Sequence, residues 1–268
     1  MNKLYFVFLL AVILSSCSPY QKALKSEDIG MKYAAAEEKY NKEKYKKAIR
    51  LFEQIAQSYR GKPQAEKMFY MYAQSLYKTE QFYTAGYQFE SFASGYPKSE
   101  KVEEAAFLGA YCYSKLSPRY SLDQIDTDKA IEKMQAFIDV YPDSQYITQA
   151  NVVVKDLREK LEFKAFEIAK QYHTIAEAIR DFKAPIVALD NFIADYPGTP
   201  YREDAFFYKI EASYKYAVNS VDYKVKMRLE ETLENYDKFL KQFPESKYKE
   251  KADKIKEDVT KMLAQYSK

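Results

Sequence analysis

An aromatic residue followed by proline recurs four times, as Tyr96-Pro97, Tyr141-Pro142, Tyr196-Pro197 and Phe243-Pro244. The surroundings recur with it. Four residues before each aromatic stands Phe92, Phe137, Phe192 or Phe239, and seven before it Phe89, Met134, Leu189 or Tyr236. Two residues after each proline stands Ser99, Ser144, Thr199 or Ser246, and eight after it Ala105, Ala150, Ala205 or Ala252. A degenerate fifth copy surrounds Tyr59, with Ala48, Ile49, Phe52 and Ile55 upstream and Pro63 displaced downstream. The intervals between Tyr59, Tyr96, Tyr141, Tyr196 and Phe243 are 37, 45, 55 and 47 residues. A fixed frame repeated at such periods constrains the fold more than any composition does.

Each copy reads as a helix–turn–helix unit. Apolar residues seven, four and three before the aromatic trace one helical face. The proline ends that helix, because the residue before it is pushed out of the α region. The Ser or Thr that follows is expected to cap the next helix, and the small Ala lets two helices approach closely. The frame predicts first helices over 44–58, 80–95, 127–140, 181–195 and 227–242. It predicts second helices over 64–78, 99–116, 144–172, 199–219 and 246–266. The third of these has no breaker from Ser144 to Phe182 and is expected to run on into the fourth unit. Strand-like alternation is absent. The expected fold is all-α, a solenoid of about five tetratricopeptide-like units, forming a right-handed superhelix with a concave face. Residues 31–268 make up this domain, with N-terminal units over 31–116 and C-terminal units over 127–268. Insertions fall at 117–124 and 219–226, and the last, Lys/Glu-rich helix fits a polar cap.

Composition excludes most chemistry. Six glycines in 268 residues leave no glycine-rich phosphate loop. One His and two Cys cannot supply an ordinary zinc set, so no metal ligands are assigned. Ser-His-Asp chemistry would rest on His173 alone, which reads as a partly exposed helix residue. Carboxylates sit in mixed-sign helical patterns that read as solvated faces. No catalytic residue and no cofactor is expected, and the chain is read as a non-enzyme. A net charge of +3 is too even for a dedicated nucleic-acid binder.

The first residues read as an export address. Lys3 precedes an unbroken apolar run from Leu4 to Leu14, too short to span a bilayer and right for a secretory signal. Leu14-Ser15-Ser16-Cys17 follows, the arrangement of a bacterial lipoprotein signal, which makes Cys17 the lipid-bearing residue after removal of 1–16. Residues 17–30 then form a lipidated tether. With Ser18 and no acidic cluster after Cys17, sorting to the outer membrane is expected, on its periplasmic face. Cys112 lies on an apolar helical face and reads as a core residue.

Twenty-seven tyrosines are unusual. Tyr33, Tyr40, Tyr45, Tyr70, Tyr72, Tyr77, Tyr83 and Tyr87 crowd the first two units. Tyr40 and Tyr77 fit inward positions; the remainder reads either as a Tyr-built core or as a contact surface, where a rigid ring with one hydroxyl is favoured.

The whole pattern resembles the BamD family of outer-membrane assembly lipoproteins. The most specific stretch runs from Asp123 to Pro197: Asp123-Gln124 with Thr127 and Ala130, the run Tyr141 to Tyr146, and Leu157-Arg158-Glu159-Lys160-Leu161 before Glu162, Glu167, Ala169 and Tyr172. His173 stands where the family has a second Tyr, Arg119 comes a few residues early, and Thr174–Asp181 is longer than in the family. The resemblance implies a scaffold of the β-barrel assembly machinery. Its C-terminal repeats would dock on a BamA-like insertase, with Arg180 as candidate contact. Its N-terminal repeats would receive the extended, aromatic-ended C-terminal segments of unfolded outer-membrane proteins, with Tyr33, Tyr45, Tyr70, Tyr72 and Tyr77 as candidate groove. The alternatives are a periplasmic adaptor for peptidoglycan machinery, against which Cys17 argues, and a glycan-capturing lipoprotein, against which the absence of Trp argues.

Overall fold

The structure, a computed structural model, describes residues 18–267. The signal and Cys17 lie outside the described residues. Among the described residues twelve helices follow one another: α1 (Pro19–Lys25), α2 (Ile29–Asn41), α3 (Tyr45–Tyr59), α4 (Ala65–Lys78), α5 (Phe82–Gly95), α6 (Val102–Leu116), α7 (Ile125–Val140), α8 (Ile147–Ile179), α9 (Lys183–Asp195), α10 (Arg202–Val218), α11 (Asp222–Gln242) and α12 (Lys249–Leu263). A 3₁₀ turn over Ala264–Ser267 ends the description, and there is no strand among the described residues.

The five expected helix pairs are α3/α4, α5/α6, α7/α8, α9/α10 and α11/α12. Their ends fall within a few residues of the sequence reading, with two exceptions. α11 begins at Asp222 rather than 227, and α8 runs to Ile179 rather than 172. Two helices were not anticipated. α2 buries chiefly Ala36, with Ile29, Tyr33, Ala35 and Tyr40 partly buried around it. Its apolar stripe is too thin to announce itself by periodicity. α1 lies inside the stretch read as a tether, yet Tyr20 and Ala23 are buried in the same core as Ile49, Leu51 and Phe52.

The proline turns are built alike. The Phe four residues before each proline-preceding aromatic is buried, and its carbonyl accepts the aromatic's amide: Phe92 from Tyr96 at 2.9 Å, Phe137 from Tyr141 at 2.9 Å, Phe192 from Tyr196 at 3.0 Å and Phe239 from Phe243 at 2.8 Å. The aromatic leaves the helix with φ of −124 to −132°, as steric conflict with the proline ring demands. Its carbonyl then accepts the amide of the Ser or Thr three residues on, at 3.0 to 3.2 Å, a β-turn with proline in its favoured second place.

The Ser does not cap the next helix directly, as the sequence suggested. Its hydroxyl accepts the amide two residues on, at 3.0 Å for Ser99, 3.1 Å for Ser144 and 3.0 Å for Ser246. The same hydroxyl donates across to a carboxylate near the start of the preceding second helix: Ser99 to Glu66 at 2.6 Å, Ser144 to Glu103 at 2.5 Å and Ser246 to Glu203 at 2.5 Å. Four residues beyond each Glu lies an aromatic ring, covered by the residue two past the Ser. Tyr146 stacks on Phe107 at 4.7 Å and Tyr248 on Phe207 at 4.2 Å, while Lys101 sets its ammonium 5.6 Å from the Tyr70 ring centre. The turns at Ser99, Ser144 and Ser246 therefore clasp the neighbouring unit at two points.

The chain forms two compact units, divided between Leu157 and Arg158 within α8. The division does not fall at the 117–124 insertion, because that insertion is internally braced. Gln124 donates to the carbonyls of Arg119, Leu122 and Asp123, and Ser117 pairs with Thr127 at 2.6 Å. In the first unit the core is continuous from Tyr20 to Cys112, and a further set joins Phe107, Met134, Phe137, Ala150 and Val154. In the second, Phe166 and Ala169 pack with Leu189, Phe192 and Ala205, and Phe207 and Ile210 with Tyr236 and Phe239. Cys112 is fully buried, and desolvation pushes its thiol up to about 12, which leaves it inert.

Candidate functional site

The five tyrosines singled out in the sequence do not converge. Tyr72 is buried against Phe52, its hydroxyl pushed up to about 12 by desolvation. The other four are half-buried. Tyr33 stacks on Tyr59 at 5.1 Å; Tyr45 meets Tyr40 edge-on at 5.7 Å. Tyr70 packs on Phe92 and accepts from Gln74 at 2.9 Å, and Tyr77 lies between Phe82, Phe89 and Tyr111. Among the described residues no two of these five rings stack on each other. They are mainly the aromatic filling between α2, α3, α4, α5 and α6. Tyrosine here does the work that leucine does elsewhere.

The exposed aromatics stand on α5. Ala85, Phe89 and Phe92 bury one side of that helix, and Tyr83 and Tyr87, one turn apart, are 68% and 60% exposed on another. Tyr87, Gln88 and Ser91 form one wall of a cleft of ≈ 640 Å³. Phe69, Phe92 and Tyr96 add aromatic rings to its lining, and Arg60 and Gly61 belong to it too. Gly61 adopts φ 78°, the left-handed region that glycine enters without strain. Burial raises the Tyr96 hydroxyl's pKa, and Glu66 adds to the effect while Arg60 opposes it. Rings, small polar side chains and one guanidinium together suit an extended segment carrying an aromatic side chain and a nearby negative charge. Sequence reasoning counted Tyr87 but did not place it at a site. Its position, off the Ala85–Phe89–Phe92 face, was the available signal. Arg60 and Gly61 were hidden because they belong to the one turn that departs from the repeat.

Arg180 stands in the second unit, exposed and in the left-handed region at φ 53°, where α8 ends. It borders a cleft of ≈ 530 Å³ with Phe182, Lys215 and Tyr216. The last turns of α8 also show Ile168, Tyr172, Ile175 and Ile179 to solvent, spaced by four, three and four residues along one stripe. That is an uncovered apolar face at coiled-coil spacing. Beside it, His173 is more enclosed than expected: its side chain is 15% exposed and its ring lies 5.1 Å from that of Tyr208. Nε2 has no hydrogen bond, with a Glu211 oxygen 3.5 Å away. Desolvation, then Lys215, lowers its pKa, so the imidazole is held neutral. Among the described residues no group of three or more His, Cys, Asp or Glu gathers as metal ligands would, and no helix is long and apolar enough to cross a membrane.

The chain matches the YfiO family, described as outer membrane lipoprotein, over residues 27–180 and 178–267. It belongs to that family. The two matches together reach from just before α2 to the terminal 3₁₀ turn. A curated relative, the outer membrane protein assembly factor BamD of Caulobacter vibrioides, is 22% identical over 186 residues. The alignment takes in 66% of this chain and 61% of that protein's length. Two solved structures of TPR-like repeats from a Podosopora anserina kinesin light chain align at 12% identity over 83% of this chain and 98% of theirs, with TM-scores of 0.32 and 0.31. Membership of the YfiO family supports an outer-membrane location.

Proposed function

We propose that this YfiO-family protein is a non-enzymatic scaffold in the assembly of outer-membrane β-barrel proteins. It is held by lipid on Cys17 at the periplasmic face. The first unit receives C-terminal segments of unfolded barrels, and the second docks on a BamA-like insertase. The observation that carries this reading is the family match through both compact units, beside a relative named as an assembly factor. The α5 cleft supports the first role: it offers rings and a guanidinium to a segment that is extended and ends in an aromatic. The stripe from Ile168 to Ile179 and the neighbouring Arg180 support the second.

Two experiments test it. Capture of the tagged protein from membranes in mild detergent should bring down a large β-barrel protein with periplasmic repeat domains. Recovery of cell-wall synthases or glycan transporters instead would discard the function and leave the fold intact. For the cleft, Tyr87→Ala should weaken binding of a barrel C-terminal peptide by roughly tenfold, since a lost aromatic contact is worth about 1–2 kcal/mol. Tyr72→Ala should instead lower stability, because that ring is core. Unchanged affinity in the α5 variant removes the cleft from the reading.

A further inference from the structure

The first described residues form a corner unlike the rest of the surface. The Ser18 side chain caps α1, accepting the Gln21 amide at 3.3 Å, and Pro19 takes the first helical position. Tyr20 then fixes the helix in place. Its ring is buried, its hydroxyl donates to the Lys47 carbonyl at 3.4 Å, and its ring centre lies 5.2 Å from Lys47 Nζ and 6.0 Å from Lys39 Nζ. The start of α1 is thus held beside the α2–α3 turn. That turn reads Lys42-Glu43-Lys44-Tyr45-Lys46-Lys47, and all four of its lysines are exposed. Lys42 pairs with Glu38 at 2.8 Å. Lys22, Lys25, Lys44, Lys46 and Arg50 pair with no carboxylate among the described residues.

The charge is local. Residues 18–50 carry nine Lys or Arg against five Asp or Glu, whereas residues 51–268 carry 32 against 34. All of the basic excess outside the signal therefore sits on α1, α2 and the start of α3. Eight of those nine cations are lysines, flexible point charges rather than the rigid forks that single out one carboxylate or phosphate. Cys17 stands one peptide bond before the capping Ser18. A lipid there leaves almost no slack between the membrane and this corner, which rests on the lipidation proposed above.

We propose that this corner is a membrane-contact surface: the lysines of α1 and of the α2–α3 turn meet the anionic phospholipid headgroups around the lipid carried by Cys17. A basic patch beside the lipid supplies an additional, additive attraction to anionic headgroups. Each lysine near an anionic surface changes partitioning by about fivefold, and only charges within roughly a Debye length of the headgroups contribute. α1 being packed rather than loose makes the contact directional. The α1–α3 end of the first unit faces the membrane, and added salt weakens the contact.

The test uses the mature chain, residues 17–268, carrying Cys17→Ser, so that binding reports headgroup contact alone. It is sedimented with vesicles of phosphatidylethanolamine and phosphatidylglycerol in equal parts, or of phosphatidylcholine alone. The expected result is salt-sensitive binding to the anionic vesicles only. Lys22→Gln, Lys25→Gln, Lys44→Gln and Lys46→Gln together should lower it on the order of a hundredfold or more. Lys241→Gln, Lys251→Gln, Lys254→Gln and Lys256→Gln, which remove the same charge near the other end of the chain, should leave it unchanged. Circular dichroism melts check that both variants fold. No binding to anionic vesicles at low salt, equal binding to both lipids, or equal loss in both variants overturns the proposal. The mass of the unaltered protein extracted from membranes tests lipidation separately. An unmodified Cys17 would end the anchor reading without touching the vesicle result.

Discussion

The turn after Tyr59 and the four proline turns do the same job by different means. At Tyr96, Tyr141, Tyr196 and Phe243 the chain is redirected by local chemistry: a proline and a hydroxyl residue at fixed offsets. After Tyr59 neither stands in place. The reversal uses Arg60 with extended backbone (ψ 129°), Gly61 at φ 78° and the Tyr59 ring, stacked on Tyr33 with the Lys62 ammonium 5.2 Å from its centre. The irregular turn contributes Arg60 and Gly61 to the α5 cleft, in the same lining as Gly95 and Tyr96 of the regular turn. A repeat that follows its own pattern everywhere has no reason to open a cleft at one unit rather than another. Local departures from a consistent pattern are where function is expected.

The sharpest break between the two kinds of turn concerns the residue four before the aromatic. Phe137 is buried against Phe107 at 5.5 Å and Tyr141 at 5.4 Å. Its replacement by Ala should cost the first unit about 3–5 kcal/mol, read as a lower urea midpoint at unchanged slope. The equivalent at the irregular turn is Ile55, also fully buried. If that site were merely a small version of the phenylalanine site, Ile55→Phe would be tolerated. A destabilisation of about 1–3 kcal/mol by overpacking is expected instead; a stabilised Ile55→Phe chain would erase the distinction.

The proline turns differ among themselves at the clasp. Ser246 donates to Glu203, but Thr199 makes only the turn bond, accepting the Tyr201 amide at 3.3 Å. Glu162, four residues before the Phe166 ring on which Tyr201 stacks, occupies the corresponding place and is not bonded to it among the described residues. Ser246→Ala should therefore cost about 1–2 kcal/mol and Thr199→Ala under about 0.5 kcal/mol. In a double-mutant cycle, Ser246→Ala with Glu203→Ala should show a coupling near 1 kcal/mol, and Thr199→Ala with Glu162→Ala none. Equal couplings would mean that the clasp belongs to the turn and not to the Ser–Glu pair.

These cases also mark how far the sequence could be read. The helix pairs were legible because proline, its preceding aromatic and the apolar face act within a few residues of each other. The Ser–Glu clasps were not: Ser99 and Glu66 are 33 residues apart, Ser246 and Glu203 are 43, and only the folded register brings them together. The candidate groove was hard to read for a related reason. Counting tyrosines shows that aromatic area is abundant, but which rings fill the core depends on neighbours. Tyr72 and Tyr87 look alike in sequence and are 6% and 60% exposed in the fold. The basic corner was half legible, since the lysine run is plain, but the packing of α1 against the start of α3 is not.

The smallest effect separates the two glycines of the cleft. Gly61 holds φ 78° with no atom within 4 Å of where a Cβ would stand, so Gly61→Ala meets no clash, only backbone strain of about 1–2 kcal/mol. Gly95, the last residue of α5, also faces open space but without a left-handed backbone. There Ala removes freedom from the unfolded chain, and about 0.4–1 kcal/mol of stabilisation is expected. Opposite shifts in melting temperature from the same substitution, at two positions lining one cleft, would show that the irregular turn is held by its backbone. Shifts of the same sign would mean that the reversal after Tyr59 is fixed by the ring contacts of Tyr59 instead, and that Gly61 could be replaced without changing the shape of the cleft.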